Sequence, residues 1–263
     1  MHTNFEKETP VENIDWDEPH PTSPYDVFVP QPRQRRRWSI ILGMLLFFTG
    51  QFSAPFFLER LLIPIGVISS REWLDAARSV VNAATFWLLN VANVISVALI
   101  LALVLGLYRD KLASLGFTSK KMPKAFLYGV LGFVVAFCIT GIIGYPLQQR
   151  FGVDPTQEAL SQATGVPGLF PLVVLSGIII APIAEEIVFR GYFYKAFSDR
   201  FKPSHAIILS AALFSILHFE LLAAAQLFVI GIILAYVYEK TGNLMAPITL
   251  HVLNNAVAFL LVR

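Results

Sequence analysis

Charged side chains are scarce in this chain of 263 residues, because Asp, Glu, Lys and Arg together make up 14% of it. A typical soluble domain contains about 25% of these residues. Hydrophobic residues instead make up 56% of the chain. A chain this apolar does not stay solvated as a disordered polymer. The composition therefore predicts a membrane protein.

The chain also lacks an excess of either charge and lacks paired cysteines. Its 20 basic and 18 acidic residues leave a net charge of +2, which is too small a field to hold a nucleic acid. The single cysteine, Cys138, lies within an apolar run and has no second cysteine to pair with. We therefore expect no nucleic-acid partner, no intrachain disulfide and no cysteine chemistry.

The first 37 residues differ in composition from the rest. Residues 1 to about 32 contain seven acids and six of the 16 prolines, with no segment able to bury an apolar face. An acidic start is also unlike a secretory signal peptide. We predict two parts: residues 1–37 as a disordered, acidic, proline-rich cytosolic tail, and residues 38–263 as a transmembrane helical domain.

Seven apolar stretches follow the tail, and most reach the roughly 20 residues needed to cross a bilayer core. They predict an all-α fold, a polytopic bundle of about seven spans. The fifth and sixth are short and separated only by Glu220, so they form either one re-entrant hairpin or two short spans joined by a tight turn. The stretches are Trp38 to Leu58, Val80 to Tyr108, Ala125 to Pro146, Leu169 to Phe189, Ala206 to Phe219, Leu221 to Tyr238 and Leu244 to Val262.

Basic residues are distributed unevenly between the two sides that these spans would create. With the tail inside, fifteen lie on the cytosolic side and five outside, the latter being Arg60, Arg71, Arg78, Arg150 and Arg263. The cluster from Arg33 to Arg37 directly precedes the first stretch, where the positive-inside rule has a large effect. We expect a cytosolic amino terminus and a carboxyl terminus on the opposite side.

Polar residues within the apolar stretches are concentrated late in the chain. A charge at the centre of a membrane helix costs about 2.5–3.5 kcal/mol on insertion scales, so such residues are usually functional or paired. The fourth stretch carries Glu185 and Glu186 near its end, and Arg190 directly follows its last residue, Phe189. Glu186 and Arg190 are four residues apart, which predicts a structural salt bridge on one helix face.

Glu185 lies about 100° around that helix from Glu186, away from Arg190. An unpaired carboxylate in an apolar environment gains basicity, as a general base requires. Pro182 cannot donate to the carbonyl of Ile178 and so should loosen the helix before the acid. An interfacial salt bridge is the structural alternative for Glu185.

His218 ends the fifth stretch, where it either takes part in chemistry or bonds a neighbouring carbonyl. His251 and Asn255, in the seventh stretch, share a helix face and follow Pro247, repeating the order of proline and polar residues seen in the fourth stretch. They are suited to stabilising an oxyanion, or else they hold neighbouring helices together.

Together these residues predict a hydrolytic site with two open mechanisms. Without metal, Glu185 and His218 would activate water, while His251 and Asn255 would stabilise the oxyanion. With zinc, Glu185, His218 and His251 would be the ligands and a water would take the open position. The cofactor is therefore either absent or a divalent metal.

The segments APIAEEIVFRGYFY, FSILH and TGNLMAPITLHVLNNA resemble the EExxxR, FxxxH and HxxxN/D motifs of the CPBP intramembrane proteases. This family includes the type II CAAX prenyl proteases and bacteriocin-immunity homologues. The resemblance covers about residues 125–259. It implies that Glu185 activates water, with Glu186 and Arg190 completing the first motif, His218 the second, and His251 and Asn255 the third.

These observations predict an integral, multi-pass intramembrane endopeptidase. Its partners would be the lipid bilayer and a membrane-associated peptide or protein, for which a prenylated substrate is one candidate. The membrane would be the plasma membrane in a prokaryote and the endoplasmic reticulum in a eukaryote. A non-catalytic immunity or scaffold protein with the same fold is the alternative. A transporter has only Gln51, Asn82, Asn90 and Asn93 in its favour.

Overall fold

The computed structural model describes residues 38–57, 59–60, 63–66, 69–71, 83–151, 170–218 and 223–261. All of them belong to the unit of the chain that runs from Arg35 to Arg263. The predicted tail, residues 1–37, lies outside the described residues, as do Asn82, Glu220 and the last two residues of the chain.

Seven helices make up the described part of the chain, and no strand occurs in it. Five of them, α1, α2, α3, α4 and α6, include segments long and apolar enough to cross a membrane. Large apolar side chains such as Ile41, Phe52 and Ile142 are exposed on the outward faces, as expected for contact with lipid. The prediction of an all-α transmembrane bundle is confirmed. The helices are α1 (Ile40–Phe57), α2 (Ala83–Leu101, continued by π-helical turns over Ala102–Leu107), α3 (Met122–Phe151), α4 (Phe170–Ser198), α5 (Pro203–Ile216), α6 (Ala224–Thr241) and α7 (Met245–Leu261).

The fifth and sixth apolar stretches form two separate helices that pack on each other. Helix α5 has 14 residues and is therefore about 21 Å long, which is less than the roughly 30 Å bilayer core. Helix α6 has 18 residues and is a candidate span. The two stretches therefore have unequal lengths, and only α6 is long enough to cross the membrane alone.

Helix α4 lies at the centre of the bundle, in contact with α1, α2, α5, α6 and α7. It alternates between α-helical and π-helical hydrogen bonding, with π segments at Val174–Ile180 and Ile187–Tyr194. Between them lies an α-helical segment, Ala181–Glu186, with Pro182 in its first turn. The helix thus departs from α-helical geometry just before the proline, because residue 182 has no N–H to donate.

Helix α4 also extends nine residues beyond the predicted end at Phe189. We expected the apolar span to end before Arg190. The arginine is instead fully buried and paired with Glu186, so the helix does not end where this charge occurs. A buried ion pair allowed the helix to continue through a polar position.

The helices pack closely where glycine faces a neighbour. A Cβ built on Gly50 of α1 would lie 2.6 Å from backbone atoms of Ser96 on α2. A Cβ on Gly129 of α3 would lie 2.6 Å from the carbonyl oxygen of Ala246 on α7. Small residues at such positions let membrane helices approach each other closely and gain van der Waals contact.

Trp38, just before α1, forms hydrogen bonds with residues that follow the ends of α2 and α4. Its indole Nε1 donates to Asp110 Oδ2 at 3.1 Å, and its carbonyl oxygen accepts from Arg200 Nη1 at 2.8 Å. The indole also stacks on Tyr192, with ring centroids 5.1 Å apart. These contacts fix the first helix against the helix that carries the candidate acids.

Pro247 has a different role from Pro182. It lies in the first turn of α7, where a proline removes no intrahelical hydrogen bond. The turn is closed by Asn243, whose Oδ1 accepts from the N–H of Met245 at 2.9 Å. The order of a proline before polar residues therefore recurs in the seventh stretch, but Pro247 lies in the first turn of its helix, whereas Pro182 lies within α4.

Candidate active site

A buried ion pair forms the base of the site. Arg190 Nη1 lies 2.9 Å from Glu186 Oε1, and both side chains are completely buried. The guanidinium also donates to the carbonyl oxygen of Gly231 at 3.3 Å and lies over the Phe214 ring, 4.5 Å from its centroid. The predicted pairing of Glu186 with Arg190 is confirmed.

Glu186 has a second partner that the sequence analysis did not identify. His251 Nδ1 lies 2.8 Å from the same carboxylate oxygen, Oε1, that binds Arg190. An ionised carboxylate offers about four lone-pair sites, so a buried Glu can hold an arginine and a histidine together. The spare lone pairs of the Glu186 carboxylate could have suggested a second partner. The sequence does not show, however, that α7 approaches α4 next to Glu186.

Glu185 faces both candidate histidines. Its Oε2 lies 3.9 Å from His218 Nε2 and 3.9 Å from His251 Nε2. The Glu185 side chain is 22% exposed and that of His218 is 28% exposed, in contrast to the buried Glu186. These distances are too long for direct hydrogen bonds but suit atoms that share a small polar molecule.

The hydrogen bonds on the other ring nitrogens assign the histidine tautomers. His218 Nδ1 lies 2.6 Å from the carbonyl oxygen of Phe214, so it carries the proton and donates. His251 Nδ1 likewise donates to Glu186. In the neutral rings both Nε2 atoms then present lone pairs toward Glu185.

Phe214 is the first residue of the FSILH segment, and the sequence analysis gave it no role of its own. Its ring centroid is 4.5 Å from that of His218 and 5.9 Å from that of His251. It also packs under Arg190. It lies in the last turn of α5 and precedes His218 by four residues, a spacing that was a usable signal because it brings two side chains to the same side of a helical turn.

Asn255 lies one turn beyond His251 on α7, and its amide is directed elsewhere. Its Nδ2 donates to the carbonyl oxygen of Gly177 on α4 at 2.8 Å. The structure thus brings Glu185, Glu186, Arg190, His218 and His251 together, whereas the Asn255 amide is bonded to the backbone of α4.

Two imidazoles and one carboxylate are a common set of zinc ligands. Bonds of about 2.0–2.2 Å in a tetrahedral zinc site place donor atoms about 3.4 Å apart, which is less than the 3.9 Å separations here. Among the described residues, no group of three or more His, Cys, Asp or Glu side chains is positioned to hold a metal ion. The ligand types fit zinc, but the observed spacing does not.

Two of the four polar residues that favoured a transporter form hydrogen bonds between helices. Asn90 Nδ2 donates to Ser176 Oγ, and both residues are buried. Gln51 Nε2 donates to Ser96 Oγ at 3.1 Å. Such contacts are typical of the hydrogen bonds that join packed membrane helices. They remove the support that Asn90 and Gln51 gave to a transport pathway.

A known protein family matches the segment of the chain that contains these site residues. Residues 167–257 match the family described as type II CAAX prenyl endopeptidase Rce1-like. The resemblance drawn from the motifs is confirmed. The match contains Glu185, Glu186, Arg190, His218, His251 and Asn255. It begins later than the expected residue 125.

Three curated relatives are similar to this chain in sequence. The putative membrane peptidase YdiL of Bacillus subtilis (strain 168) is 28% identical over 131 residues, which cover 50% of this chain and 54% of the relative. The UPF0177 protein YbdI of Lactococcus lactis subsp. lactis (strain IL1403) is 37% identical over 99 residues, 36% of this chain and 53% of the relative. The membrane-embedded CAAX protease MroQ of Staphylococcus aureus (strain USA300) is 20% identical over 228 residues, 84% of this chain and 87% of the relative.

The three relatives therefore differ in how much of their own length this chain covers. The chain spans about half the length of YdiL and YbdI and most of the length of MroQ. No solved structure gives a significant match. The family match and the names of two relatives make the chain similar to membrane peptidases, and its five candidate spans support an integral, multi-pass membrane protein.

Proposed function

We propose that this protein is an intramembrane endopeptidase that hydrolyses a peptide bond of a membrane-associated substrate. The observation that carries the proposal is the convergence of Glu185 Oε2 with Nε2 of both His218 and His251, each at 3.9 Å. Glu185 and His218 are partly exposed at the edge of an otherwise buried cluster, so a substrate can approach them from outside the bundle. The family match supports the same reaction class.

Glu185 acts in this mechanism as the general base. Its Oε2 takes a proton from a water molecule as that water attacks the carbonyl carbon of the scissile peptide bond. The Nε2 lone pair of His218 accepts a hydrogen bond from the same water and orients it. The proton held by Glu185 then passes to the nitrogen of the departing amine, so that the carboxylate is regenerated.

His251 has a separate task, for which Glu186 prepares it. Glu186 accepts from His251 Nδ1 and fixes the plane of the ring, much as a buried carboxylate orients a catalytic histidine in hydrolases. When His251 is protonated, its Nε2 donates to the oxygen that becomes negative as the tetrahedral intermediate forms. Arg190 keeps the Glu186 carboxylate in place.

The decisive experiment is a peptidase assay on the full chain, purified and reconstituted in liposomes with a lipid-anchored fluorogenic peptide. We expect Glu185→Gln to abolish turnover while the variant still binds the peptide, because the shape is kept and the base is lost. Glu59→Gln is the matched control, since Glu59 is an exposed glutamate outside the matched segment. It should retain normal turnover.

The same assay separates enzyme from scaffold. Binding of the peptide by the native chain without any cleavage would favour a non-catalytic immunity or scaffold protein. Full activity in Glu185→Gln would reject Glu185 as the base. Comparing a prenylated with an unprenylated peptide tests the substrate class, and faster cleavage of the prenylated form is the result expected for a CAAX-type substrate.

We also propose that the tail and the loop around Lys120 face the cytosol, with the chain in the plasma membrane if the organism is prokaryotic. The 15 to 5 distribution of basic residues supports this orientation. Single cysteines introduced at positions 75 and 120 of a Cys138→Ser chain can be labelled from outside intact cells. We expect labelling at 75 only, and labelling at 120 only would invert the orientation.

A further inference from the structure

The chain between α2 and α3 lies at one face of the membrane. The candidate span of α2 ends at Leu107 and that of α3 begins at Met122, so the residues between them join two span ends on the same side. We call residues 109–124 the α2–α3 segment, because the first turn of α3 continues its surface. A segment in this place lies at the depth of the lipid headgroups, just outside the hydrocarbon core.

The backbone of the α2–α3 segment is fixed from inside the bundle. Three buried residues, one at the end of α6 and two in the turn before α7, donate hydrogen bonds to its carbonyl oxygens. The bonds run from the Tyr238 hydroxyl to Leu115 at 2.9 Å, from the N–H of Leu244 to Gly116 at 3.0 Å, and from Asn243 Nδ2 to Thr118 at 3.0 Å and Lys120 at 3.2 Å. The segment is therefore held in shape before any ligand binds, which lowers the entropy cost of binding.

The outer surface of the α2–α3 segment is basic. Five of its side chains are basic and exposed, and its one acid, Asp110, accepts a hydrogen bond from the indole of Trp38 at 3.1 Å. Clusters of about four to eight Lys and Arg residues immediately beside a membrane helix are typical of sites that bind anionic lipids. The five are Arg109, Lys111, Lys120, Lys121 and Lys124.

Large apolar side chains are exposed among these charges. Leu112 is 46% exposed, Phe117 39% and Met122 40%. Basic and apolar side chains on one surface are the combination that binds the boundary between headgroups and acyl chains. A soluble acidic ligand would neutralise the charges but would leave these apolar groups in water. The surface therefore fits a lipid layer better than a soluble acidic peptide.

Two of the basic residues have a backbone conformation that favours glycine. The φ angle is 52° at Arg109, which follows the end of α2, and 58° at Lys121, which precedes α3. Only a few per cent of residues other than glycine have positive φ, because Cβ crowds the backbone there. Long basic side chains at these two positions do not help the backbone, which indicates that their charge is used outside the fold.

We propose that the α2–α3 segment binds anionic lipid headgroups through its basic side chains, while Leu112, Phe117 and Met122 contact the adjoining ends of the acyl chains. The lipid lies in the leaflet next to the segment, whichever side of the membrane that is. This binding does not depend on the proposed peptidase reaction, since none of these residues belongs to the site around Glu185.

The test uses the full chain, purified in a nonionic detergent and titrated with phosphatidylglycerol, whose headgroup is anionic, or with zwitterionic phosphatidylcholine. Native mass spectrometry measures the Kd of bound lipid, and thermal unfolding measures Tm. We expect tighter binding of phosphatidylglycerol and a rise in Tm as it binds the folded chain. Added salt should weaken the preference, because exposed charges are screened.

The variants Arg109→Gly and Lys121→Gly separate lipid binding from folding. Each should weaken phosphatidylglycerol binding about fivefold, and both together about 25-fold, as expected for basic residues near an anionic surface. Without lipid, Tm should be unchanged or higher, since glycine adopts positive φ without steric cost. A purely structural role would instead lower Tm when the residue is replaced. Lys121→Arg keeps the charge and should bind lipid as the native chain does.

Arg150→Gln is the matched control, because it removes one exposed positive charge from the last turn of α3, at the other end of that helix from Lys121. It should leave the Kd for phosphatidylglycerol unchanged. Phe117→Ser should weaken lipid binding, because it removes an apolar contact with the acyl chains. Unchanged binding in Phe117→Ser would reject the apolar part of the proposal.

Equal affinity of the native chain for the two lipids would overturn the proposal. Undiminished phosphatidylglycerol binding in the chain with both glycine substitutions would also overturn it, because the lipid would then bind elsewhere. The same conclusion follows if glycerol phosphate raises Tm as much as the lipid does, or if polyglutamate binds in preference to lipid. If the chain with both glycines does not fold, Lys120→Gln with Lys124→Gln replaces it, because neither residue has positive φ.

Discussion

Helices α1 and α2 and helices α4 to α7 both carry polar side chains within apolar segments, and the two regions use them differently. In α1 and α2, Gln51 bonds Ser96, and Asn90 bonds Ser176 of α4. These contacts join one helix to another. In α4 to α7, one oxygen of Glu186 holds both Arg190 and His251, and Glu185 faces two histidines at equal distances.

The difference shows that a polar residue in a membrane helix is not by itself a sign of function. A pair such as Gln51 and Ser96 satisfies its own hydrogen bonds and stabilises packing. The site region combines a completely buried orienting cluster with partly exposed reactive atoms. Buried oriented groups beside an accessible base are the combination that hydrolysis needs.

Substitution of the two histidines should have the largest effect. It tests directly whether the polar residues of α4 to α7 are functional, unlike those of α1 and α2. His218→Ala and His251→Ala should each reduce turnover by about 10²–10⁴-fold, because each removes a group that handles protons or charge at the reacting atoms. His251→Ala should also lower Tm, since the buried Glu186 loses a hydrogen bond. His205→Ala is the control, because His205 is exposed at the start of α5.

Metal analysis of the same variants separates the two mechanisms left open by the residues. A metal-independent site predicts that neither substitution changes the metal content of the purified protein. A zinc site predicts that both substitutions lose bound metal together, because each would remove a ligand. Joint loss of metal would therefore contradict the mechanism built on Glu185 and His218 alone.

Substitution in the buried ion pair should have the next largest effect, and this effect is on the stability of the folded protein. Arg190→Ala should destabilise the protein by about 3–5 kcal/mol, because it leaves the Glu186 carboxylate buried without its positive partner. Within the described chain, the other oxygen of that carboxylate, Oε2, is buried without a hydrogen-bond partner, so no bond there compensates for the loss of Arg190. Chemical unfolding in detergent measures the effect.

Glu186→Gln should be milder, because the amide oxygen can still accept a hydrogen bond from Arg190, which also keeps its bond to the carbonyl oxygen of Gly231. Arg150→Ala serves as the control, since Arg150 is exposed. Equal loss of activity in Arg190→Ala and Glu186→Gln, with normal unfolding in both, would place Glu186 in the chemistry itself.

The smallest expected effect tests the packing of α1 on α2. Gly50→Ala should destabilise the protein by about 1–3 kcal/mol, because a Cβ there would lie 2.6 Å from Ser96 backbone atoms and the helices must separate. Turnover per folded molecule should be retained. Gly141→Ala is the matched control, since a Cβ at that position meets nothing within 4 Å. A loss of turnover in folded Gly50→Ala would show that this region also contributes to the site.

Local features of the fold were predictable wherever a single residue dictates them. Pro182 lacks an N–H, and α4 leaves α-helical bonding just before it. Glu186 and Arg190 are four residues apart, and they pair. Pro247 was harder, because a proline loosens a helix interior but fits a first turn, and the position of the α7 start depends on the cap from Asn243.

The amino-acid sequence by itself determined the all-α membrane fold, the apolar stretches, the salt bridge and the membership of the candidate set, because hydropathy and helical spacing act along the chain. Only the tertiary structure decided which groups meet across helices. It gave Glu186 a second partner in His251, turned both Nε2 atoms toward Glu185 and directed Asn255 to Gly177. These contacts depend on the rotation and depth of α4, α5 and α7 relative to one another, which are set by packing between residues far apart in the chain.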